Sequence, residues 1–376
     1  MVEETRTALE VTLSRRFETK DIVKRLGFIS PKMVEIENYE ASPITIFNPG
    51  AYIEKNVLRV YARTVFGYYR YISSIALFEI PIEEVLDGSF AKKRFRARLV
   101  VYPSSRYDMW GTEDPRVSPI SNGVAMVYSA RTIAFFDEHA RTHKSLPLLA
   151  MSRDGVEWEK RALFMISPSV CSAVYSDKDA FVADFGDKGV WLFHRPNIRP
   201  PTSSLCRGIL EGINPKGYEM LLLSHSMERQ EGVFILLASR IDIPQSFRVV
   251  EISDSRVMMY VPRFEWKAGW GTPLYEIKPG KWLTILHGVD RYDTAYRAFA
   301  AVVELEDGKP IVTRVTQRYI MEPRDPHEIY GDRTLVVFPT GGGIVDNKLV
   351  LVYGAADSFI GIGVVDLDEL LAELNL

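Results

Sequence analysis

Short apolar runs alternate with polar turns over most of this chain. From Ile44 onward, runs rich in Val, Ile, Tyr and Phe end at Gly, Pro, Asp or Asn. This pattern is typical of short strands in antiparallel sheets. The clearest predicted strands are residues 59–66, 71–80, 98–102, 123–128, 335–338, 348–352 and 360–365.

Two Asp-Gly pairs lie between predicted strands. Asp154-Gly155 divides the segment Ser152–Trp158, and Asp307-Gly308 divides the segment Ala301–Val315. Asp-Gly between apolar runs favours a tight hairpin turn, because both residues accept positive φ angles. We therefore predict a β-hairpin at each place.

The two ends of the chain have a different pattern. Apolar residues recur at roughly helical spacing from Thr5 to Leu26, and again from Leu367 to Leu374. We predict one or two N-terminal helices, one C-terminal helix and no helix between them. The N-terminal helices are expected to serve packing or a homo-oligomer interface.

The number of predicted strands indicates the fold class. A sandwich would need a domain break to hold so many strands, and no Pro- or Ser-rich linker supplies one. An all-β, five-bladed β-propeller with about four strands per blade fits the length. The predicted organisation is a helical extension at residues 1–44, the propeller with the site at 45–366, and a terminal helix at 367–376.

Composition narrows the functional classes. The 376 residues are 47% apolar and 25% charged, with a net charge of −3, as is usual for a soluble globular protein. Nothing indicates a nucleic-acid or membrane partner. Cys171 and Cys206 cannot build a disulfide framework, and metal-ligand spacing is missing. The acidic N-terminus and the lack of a membrane-length apolar run predict a cytoplasmic protein. Separately, we expect no metal and no organic cofactor.

The segment Trp110–Val117 is the first candidate for chemistry. Gly111 permits a tight backbone, and Pro115 is expected to bias Asp114 toward an extended conformation. A carboxylate held at a strand end suits a proton donor, although a solvated turn is the alternative. Strand alternation would place Glu113 on the opposite face, which makes it the weaker candidate.

Lys178 and Arg195 form the second candidate. A hairpin between them would bring both cations to one place, where they could bind an anion. A structural ion pair of these cations with Asp177 or Asp179 is the alternative.

Trp270 and His287 are ambiguous. Trp270 lies between two glycines without the strand-to-helix context of a phosphate loop, so it either stacks on a sugar or packs inside a blade. His287 ends an apolar strand, where a histidine is more often a core residue.

Taken together, the motifs resemble glycoside hydrolase family 130 and occur in that family's order. The segments concerned are Asn48-Pro49-Gly50-Ala51, Gly111-Thr112-Glu113-Asp114-Pro115-Arg116, Lys178-Asp179, His194-Arg195-Pro196, His287-Gly288-Val289 and Tyr353-Gly354-Ala355-Ala356-Asp357. The resemblance implies a five-bladed β-propeller and an inverting reaction on β-mannosides. In most members that reaction is phosphorolysis.

The resemblance also implies roles for individual residues. Asp114 matches the family's single proton donor, which acts through the 3-hydroxyl of the sugar. The residues matching phosphate ligands are Lys178, Arg195, His287 and Tyr296, and those matching mannosyl ligands are Asn48, Arg63 and Asp357. With the substrate-binding group we also place Glu113, Arg116, Asp179, His194 and Trp270. Ser74 and Trp270 depart from the family pattern and put the acceptor-sugar pocket in doubt.

Phosphate is already an anionic nucleophile, so it needs positioning and charge neutralisation instead of a base. One acid and a basic cluster therefore favour phosphorolysis. Together with the family resemblance, this predicts a β-mannoside phosphorylase that uses inorganic phosphate as co-substrate and yields α-mannose 1-phosphate. A hydrolase would be expected to lose the basic cluster and to gain a paired carboxylate. A transferase using a nucleotide-mannose donor and a non-catalytic propeller are the remaining alternatives.

Overall fold

The computed structural model describes residues 2–132, 145–198, 206 and 232–376, with residues 2–6 described by their backbone alone. In these ranges the chain consists mainly of β-strands. The helices are α1 (Val2–Ser14), α2 (Ile82–Asp87), α3 (Pro326–Ile329) and α4 (Leu367–Glu373). Short 3₁₀ turns lie at Pro31–Met33, Ser89–Lys92 and Gly186–Lys188.

The strands run from the N-terminal region to the last helix. Those before the middle of the chain are β1 (Lys24–Ile29), β2 (Val34–Ile36), β3 (Thr45–Glu54), β4 (Val57–Val65), β5 (Ser73–Pro81), β6 (Phe95–Val101), β7 (Thr112–Ile120), β8 (Gly123–Arg131), β9 (Ser145–Ser152), β10 (Glu159–Ile166), β11 (Val174–Asp184) and β12 (Val190–Ile198). Those that follow are β13 (Val233–Phe234), β14 (Leu236–Ile241), β15 (Arg248–Ile252), β16 (Arg256–Met259), β17 (Glu265–Trp270), β18 (Tyr275–Lys278), β19 (Lys281–Asp290), β20 (Tyr296–Glu306), β21 (Lys309–Val315), β22 (Val337–Val345), β23 (Lys348–Ala355) and β24 (Phe359–Asp366).

These strands form five sheets, which are the blades of a propeller. From the inner strand outward, the blades are β3-β4-β5-β6-β2, β7-β8-β9-β10-β15, β11-β12-β14-β16, β17-β19-β20-β21 and β22-β23-β24-β1, numbered 1 to 5. Two short strands complete blades 3 and 4, where β13 pairs with β12 and β18 with β19. Inner strands of neighbouring blades contact one another, since β3 contacts β7 and β22, and β11 contacts β7 and β17. The predicted five-bladed β-propeller is confirmed.

The ring is closed by a strand from the N-terminal region. β1 pairs antiparallel with β24, so that Ile29 lies opposite Ile360. β2 joins the outer edge of blade 1 in parallel with β6. The helical prediction from Thr5 to Leu26 therefore holds for α1 and is wrong beyond Ser14, where an irregular stretch leads into β1. The free sheet edges satisfy the backbone groups of β1 and β2.

Two short helices lie inside the propeller, which corrects the prediction of helices only at the ends. α2 follows Pro81 and buries Ile82 and Val85 against the sheet. α3 begins after Asp325 with a capping box and with Pro326 at its first position. Both are too short to show a helical period in the sequence.

Buried strands carry continuous apolar runs where blades face each other. Residues 349–353 of β23 are fully buried, because the sheet packs against a neighbour on both faces.

Asp307 and Gly308 have φ values of 50° and 75°, and Glu306 lies opposite Lys309. This is the predicted two-residue hairpin. β9 and β10 also pair as a hairpin around Asp154-Gly155, but its connection spans residues 153–158, so the strand predicted to follow the turn begins only at Glu159.

The N-terminal helix packs on the propeller. α1 contacts β16 and β21, and Arg15 follows its last residue. The Arg15 guanidinium lies 3.4 Å from the centre of the Phe299 ring and donates to Glu265 over 3.0 Å. Glu265 begins β17, so the helix is fastened to blade 4.

Cys171 and Cys206 form one disulfide, which joins the β10–β11 connection to the chain beyond β12. A single bridge is not the framework that the sequence analysis excluded, although the pairing itself was not predicted. In the described ranges, no helix has the length and apolar content needed to cross a bilayer.

Candidate active site

A cavity of about 720 Å³ opens at one end of the propeller and receives side chains from all five blades. Most of the predicted site residues line it. They are Asn48, Arg63, Glu113, Asp114, Lys178, Asp179, Arg195, His287, Tyr296 and Asp357. Residues far apart in sequence therefore meet where the inner strands of the blades converge.

A repeated backbone feature directs three of these side chains. The inner strands β3, β7 and β11 each contain a break in register, at Asn48, Asp114 and Asp179. These residues have φ values of 43°, 51° and 52°, in the left-handed region that Asn and Asp tolerate better than other side chains. Bulges of this kind are common next to active sites, because they redirect a side chain.

The left-handed conformation of Asp114 corrects the prediction that Pro115 would hold it extended. A residue before proline is normally driven to the β region. Here two hydrogen bonds hold the carboxylate, since Oδ1 accepts from Asn48 Nδ2 and from Arg63 Nη1, each over 2.9 Å. Such backbone strain is typical of functional positions. The other oxygen, Oδ2, is the one able to carry a transferable proton.

Glu113 also reaches the cavity, because the bulge breaks the alternation that would have placed it on the opposite face. It accepts from Arg63 and Arg131 over 2.8 Å each, and Lys178 Nζ lies 3.5 Å away. Burial alone would raise the pKa of Glu113, but these three cations hold it well below its usual range. Glu113 is therefore a fixed negative charge and a poor proton donor.

Asp179 is the shared counter-ion of a second group. Arg195 donates to its Oδ2 through Nε over 2.9 Å and through Nη2 over 2.5 Å, and Arg116 Nη2 lies 3.3 Å from Oδ1. Burial opposes ionisation, yet Arg195, His287 and Arg116 hold the pKa of Asp179 well below its usual range. The two alternatives for Arg195 are thus compatible, because it forms an ion pair and also lines the cavity.

His287 lies next to Asp179, in the group that Asp179 forms with Arg195. Its Nε2 is 3.5 Å from Asp179 Oδ2, and burial lowers the pKa of the imidazole to about 3. The ring is therefore neutral near pH 7, and its buried Nδ1 has no hydrogen-bond partner in the described part of the chain. A Cβ at Gly269 would lie 2.3 Å from the same Asp179 oxygen, so glycine is required there for close packing.

Two cationic residues in the cavity were missed by the sequence analysis. Lys267 Nζ lies 4.9 Å and Arg333 Cζ 4.6 Å from the centre of the Tyr296 ring. No carboxylate lies within ion-pair distance of Lys267 in the described ranges. Burial, together with Arg333 and Arg195, lowers the pKa of Lys267 well below its usual value. Lys267 precedes Gly269 by two positions on an inner strand, and residues two apart on a strand lie on the same face. This spacing could have indicated that the Lys267 side chain lies on the same face as Gly269.

Asp357 completes the cavity on blade 5 and is half-buried. Burial raises its pKa to about 6, with a contribution from Asp114, against the opposing effect of Arg63. Its carboxylate forms no hydrogen bond or ion pair with the described residues, so both oxygens can accept from a ligand.

Three residues assigned to substrate binding do not line the cavity. His194 is fully buried between Asp177 and Ser239, at 2.6 and 2.9 Å from its two ring nitrogens. Arg116 is buried and donates to the backbone oxygens of Asp114, Trp270 and Gly271. It therefore positions the donor strand and does not contact substrate directly.

Trp270 is the third, and the structure supports blade packing for it. The indole is fully buried, and its ring centre lies 5.2 Å from that of Phe193 and 6.1 Å from that of Phe181. Its Nε1 donates to the carbonyl oxygen of His194.

We expect Trp270→Ala to lower the free energy of unfolding by about 3–5 kcal/mol, because it removes a fully buried aromatic ring. Chemical denaturation of the variant and of the native protein measures this difference. Tyr330→Ala is the matched control, since that ring is 70% exposed and its loss should change stability little. Unchanged stability of Trp270→Ala would contradict the packing role.

One potential metal-binding group occurs in the described ranges, and it lies outside the cavity. Asp325, His327 and Glu328 place ligand atoms within 4.8 Å of one another. Glu328 is already paired with Arg25 over 3.0 Å and accepts from Tyr353. Its charge is therefore neutralised, and this group carries no metal assignment.

Comparison with known proteins gives consistent results. A family model described as beta-1,4-mannooligosaccharide phosphorylase matches residues 13–375. The chain is 21% identical over 366 residues to a 1,2-beta-oligomannan phosphorylase of Thermoanaerobacter sp. (strain X514), covering 93% of this chain and 98% of that protein. A beta-1,2-mannobiose phosphorylase of the same organism is 24% identical over 355 residues, with coverages of 90% and 96%.

Among solved structures, a beta-1,2-mannobiose phosphorylase from Listeria innocua in complex with beta-1,2-mannobiose superposes with a TM-score of 0.66. The superposition covers 94% of this chain and 99% of that one, at 17% identity. At this identity the similarity shows the shared propeller fold.

Proposed function

The chain belongs to the beta-1,4-mannooligosaccharide phosphorylase family, glycoside hydrolase family 130, and on this premise we propose that it cleaves a β-mannoside with inorganic phosphate. The products are α-mannose 1-phosphate and a shortened acceptor, and the same site runs the reverse synthesis. One observation carries the proposal. The cavity combines a hydrogen-bonded carboxyl, Asp114, with a cluster of basic side chains formed by Lys178, Arg195 and Lys267.

Asp114 is the proton donor in this proposal. Its Oδ1 is occupied by Asn48 and Arg63, so Oδ2 gives up the proton. The proton reaches the glycosidic oxygen through the 3-hydroxyl of the mannosyl unit, the relay that the family resemblance implies. Arg63 then stabilises the carboxylate that remains, because a charge-assisted hydrogen bond favours the ionised form.

Phosphate binds on the opposite side of the mannosyl unit, on blades 3 and 4. Arg195 is oriented by Asp179 and offers a charged planar donor group. Lys178 and Lys267 add charge, and an anion would restore the ammonium form of Lys267 that burial disfavours. Tyr296 remains protonated, because burial raises the pKa of its hydroxyl. It and the neutral His287 therefore serve as hydrogen-bond donors.

The mannosyl unit lies between these two groups, with Asp357 as its main acceptor of hydroxyl hydrogen bonds. With a pKa of about 6, Asp357 is mostly ionised at neutral pH. Binding at a fixed distance from both the donor and phosphate supplies the positioning that phosphorolysis needs.

A hydrolase is the second candidate. It would require a carboxylate base across the sugar from the donor. Glu113 and Asp179 are weak bases, because cations lower their pKa. Asp357 has a suitable pKa, but it shares the neighbourhood of Arg63 with Asp114 and so lies on the donor's side. This placement favours phosphate as the nucleophile.

The test is incubation of the purified protein with β-1,2- and β-1,4-linked mannobiose, with and without phosphate. We expect α-mannose 1-phosphate to form only when phosphate is present, as followed by ³¹P NMR. We propose the β-1,2 linkage as the better substrate, because the relatives compared above carry that linkage in their names. Release of free mannose at the same rate without phosphate would refute phosphorolysis and favour the hydrolase.

A further inference from the structure

A loop rich in tyrosine stands at the mouth of the cavity. It joins β4 to β5, has the sequence Phe66-Gly67-Tyr68-Tyr69-Arg70-Tyr71, and is called here the tyrosine loop (residues 66–71). Residues 68–71 all line the cavity. Tyr68 and Tyr69 are 72% and 86% exposed. Such exposure of adjacent large rings at a cavity mouth indicates a binding surface.

The tyrosine loop is fastened to the blades on both sides of it. Tyr68 Oη and Tyr71 Oη donate over 3.3 and 2.5 Å to the carboxylate of Asp332, which lies in the connection that leads into blade 5. Arg70 Cζ lies 5.6 Å from the centre of the Trp110 ring, next to blade 2. The loop therefore spans the edge of the cavity from blade 5 to blade 2.

Tyr71 shows that this conformation is imposed. Its φ is 53°, a value that is costly for a bulky side chain and persists only where the surroundings fix it. Burial and Asp332 raise the pKa of the Tyr71 hydroxyl above its usual range. The hydroxyl thus remains protonated and keeps donating to Asp332.

The position of the proton donor indicates on which side of the cavity the leaving sugar lies. Asp114 is held by Asn48 and Arg63, which both belong to blade 1, as does the tyrosine loop. The cations Arg195 and Lys267 come from blades 3 and 4. In an inverting displacement the nucleophile and the leaving group occupy opposite sides of the anomeric carbon. The leaving sugar therefore extends toward blade 1 and under the tyrosine loop.

We propose that the tyrosine loop is the binding platform for the leaving sugar, which stacks its apolar face on the rings of Tyr68 and Tyr69. The inference rests on the proposed function and adds the residues that select a leaving group that is itself a neutral pyranose ring. Aromatic rings bind such faces by dispersion and lose little conformational entropy on binding. A mannoside with a small alkyl leaving group cannot make this contact.

The experiment compares phosphorolysis of mannobiose with that of methyl β-mannoside by the native protein, Tyr68→Ala and Tyr69→Ala. Each variant is expected to lose roughly tenfold in kcat/KM for mannobiose, the scale of one stacking contact. The same constant for methyl β-mannoside and the KM for phosphate should not change. Tyr102→Ala is the control, since that ring is 55% exposed and lies outside the cavity.

Equal losses for both substrates, or no loss for mannobiose, would overturn the platform. A binding measurement separates this inference from the proposed function, because it needs no turnover. Calorimetry on Asp114→Asn, with and without Tyr69→Ala, should show weaker mannobiose binding in the double variant even if the native protein proves to be a hydrolase. Equal affinity in the two would reject the platform on its own.

Discussion

Asp114→Asn is expected to keep the fold and to lower kcat by about 10²-fold or more, the usual scale for the loss of a positioned acid. Asparagine can still accept from Asn48 and Arg63 through its amide oxygen, but it has no proton to give. The measurement is initial rate at saturating mannobiose and phosphate, with thermal unfolding as the check on folding. Asp187→Asn, at an exposed ion pair with Lys188, should leave both values unchanged.

Near-native turnover by Asp114→Asn would remove this residue from the donor role. Glu113 would not replace it, because three cations hold it ionised. Asp357, whose pKa burial raises to about 6, would then be the candidate donor.

Arg195→Ala is expected to lower the rate at a fixed phosphate concentration by roughly 10²- to 10³-fold, on the scale of losing one preorganised donor to a developing charge. The rate should also no longer saturate at phosphate concentrations that saturate the native protein, because the loss of Arg195 weakens phosphate binding. Steady-state rates across a phosphate series measure both effects. Arg94→Ala serves as the control, because this arginine forms an exposed ion pair with Glu35.

Removal of Arg195 leaves the buried Asp179 without its main partner, so Arg195→Lys is the companion variant. It keeps the charge but not the planar fork, and we expect an intermediate rate with a raised KM for phosphate. Unchanged activity in Arg195→Ala would mean that phosphate binds elsewhere or does not take part, which is the outcome a hydrolase would give.

The fold was accessible from sequence because its signals are local. Apolar runs and Asp-Gly turns depend on neighbouring residues only, and they located seven strands and the places of both hairpins. The strands β1 and β2 escaped, because their pairing partners lie in blades 5 and 1. Edge pairing with distant segments leaves no periodic signal in a short segment.

Site residues that lie in a sequence motif were predicted. Site residues that only the three-dimensional arrangement brings to the cavity were missed. Asp114 and Arg195 lie in recognisable segments, and both line the cavity. Lys267 shares its strand with Trp270, which drew attention because of its flanking glycines but proved to be a packing residue. The tyrosine loop is likewise invisible to motif analysis, because what distinguishes it is a contact with Asp332 across the cavity.

The bulges in the inner strands also limit which amino acids can occupy the left-handed positions that line the cavity. At a left-handed backbone position, Gly, Asn and Asp are the inexpensive choices. The backbone at Asn48, Asp114 and Asp179 thus tolerates any of these three residue types, although the ion pairs of Asp179 with Arg195 and Arg116 still require a carboxylate at that position. A change of residue type at such a position would change the ionisable groups of the site without changing the propeller fold.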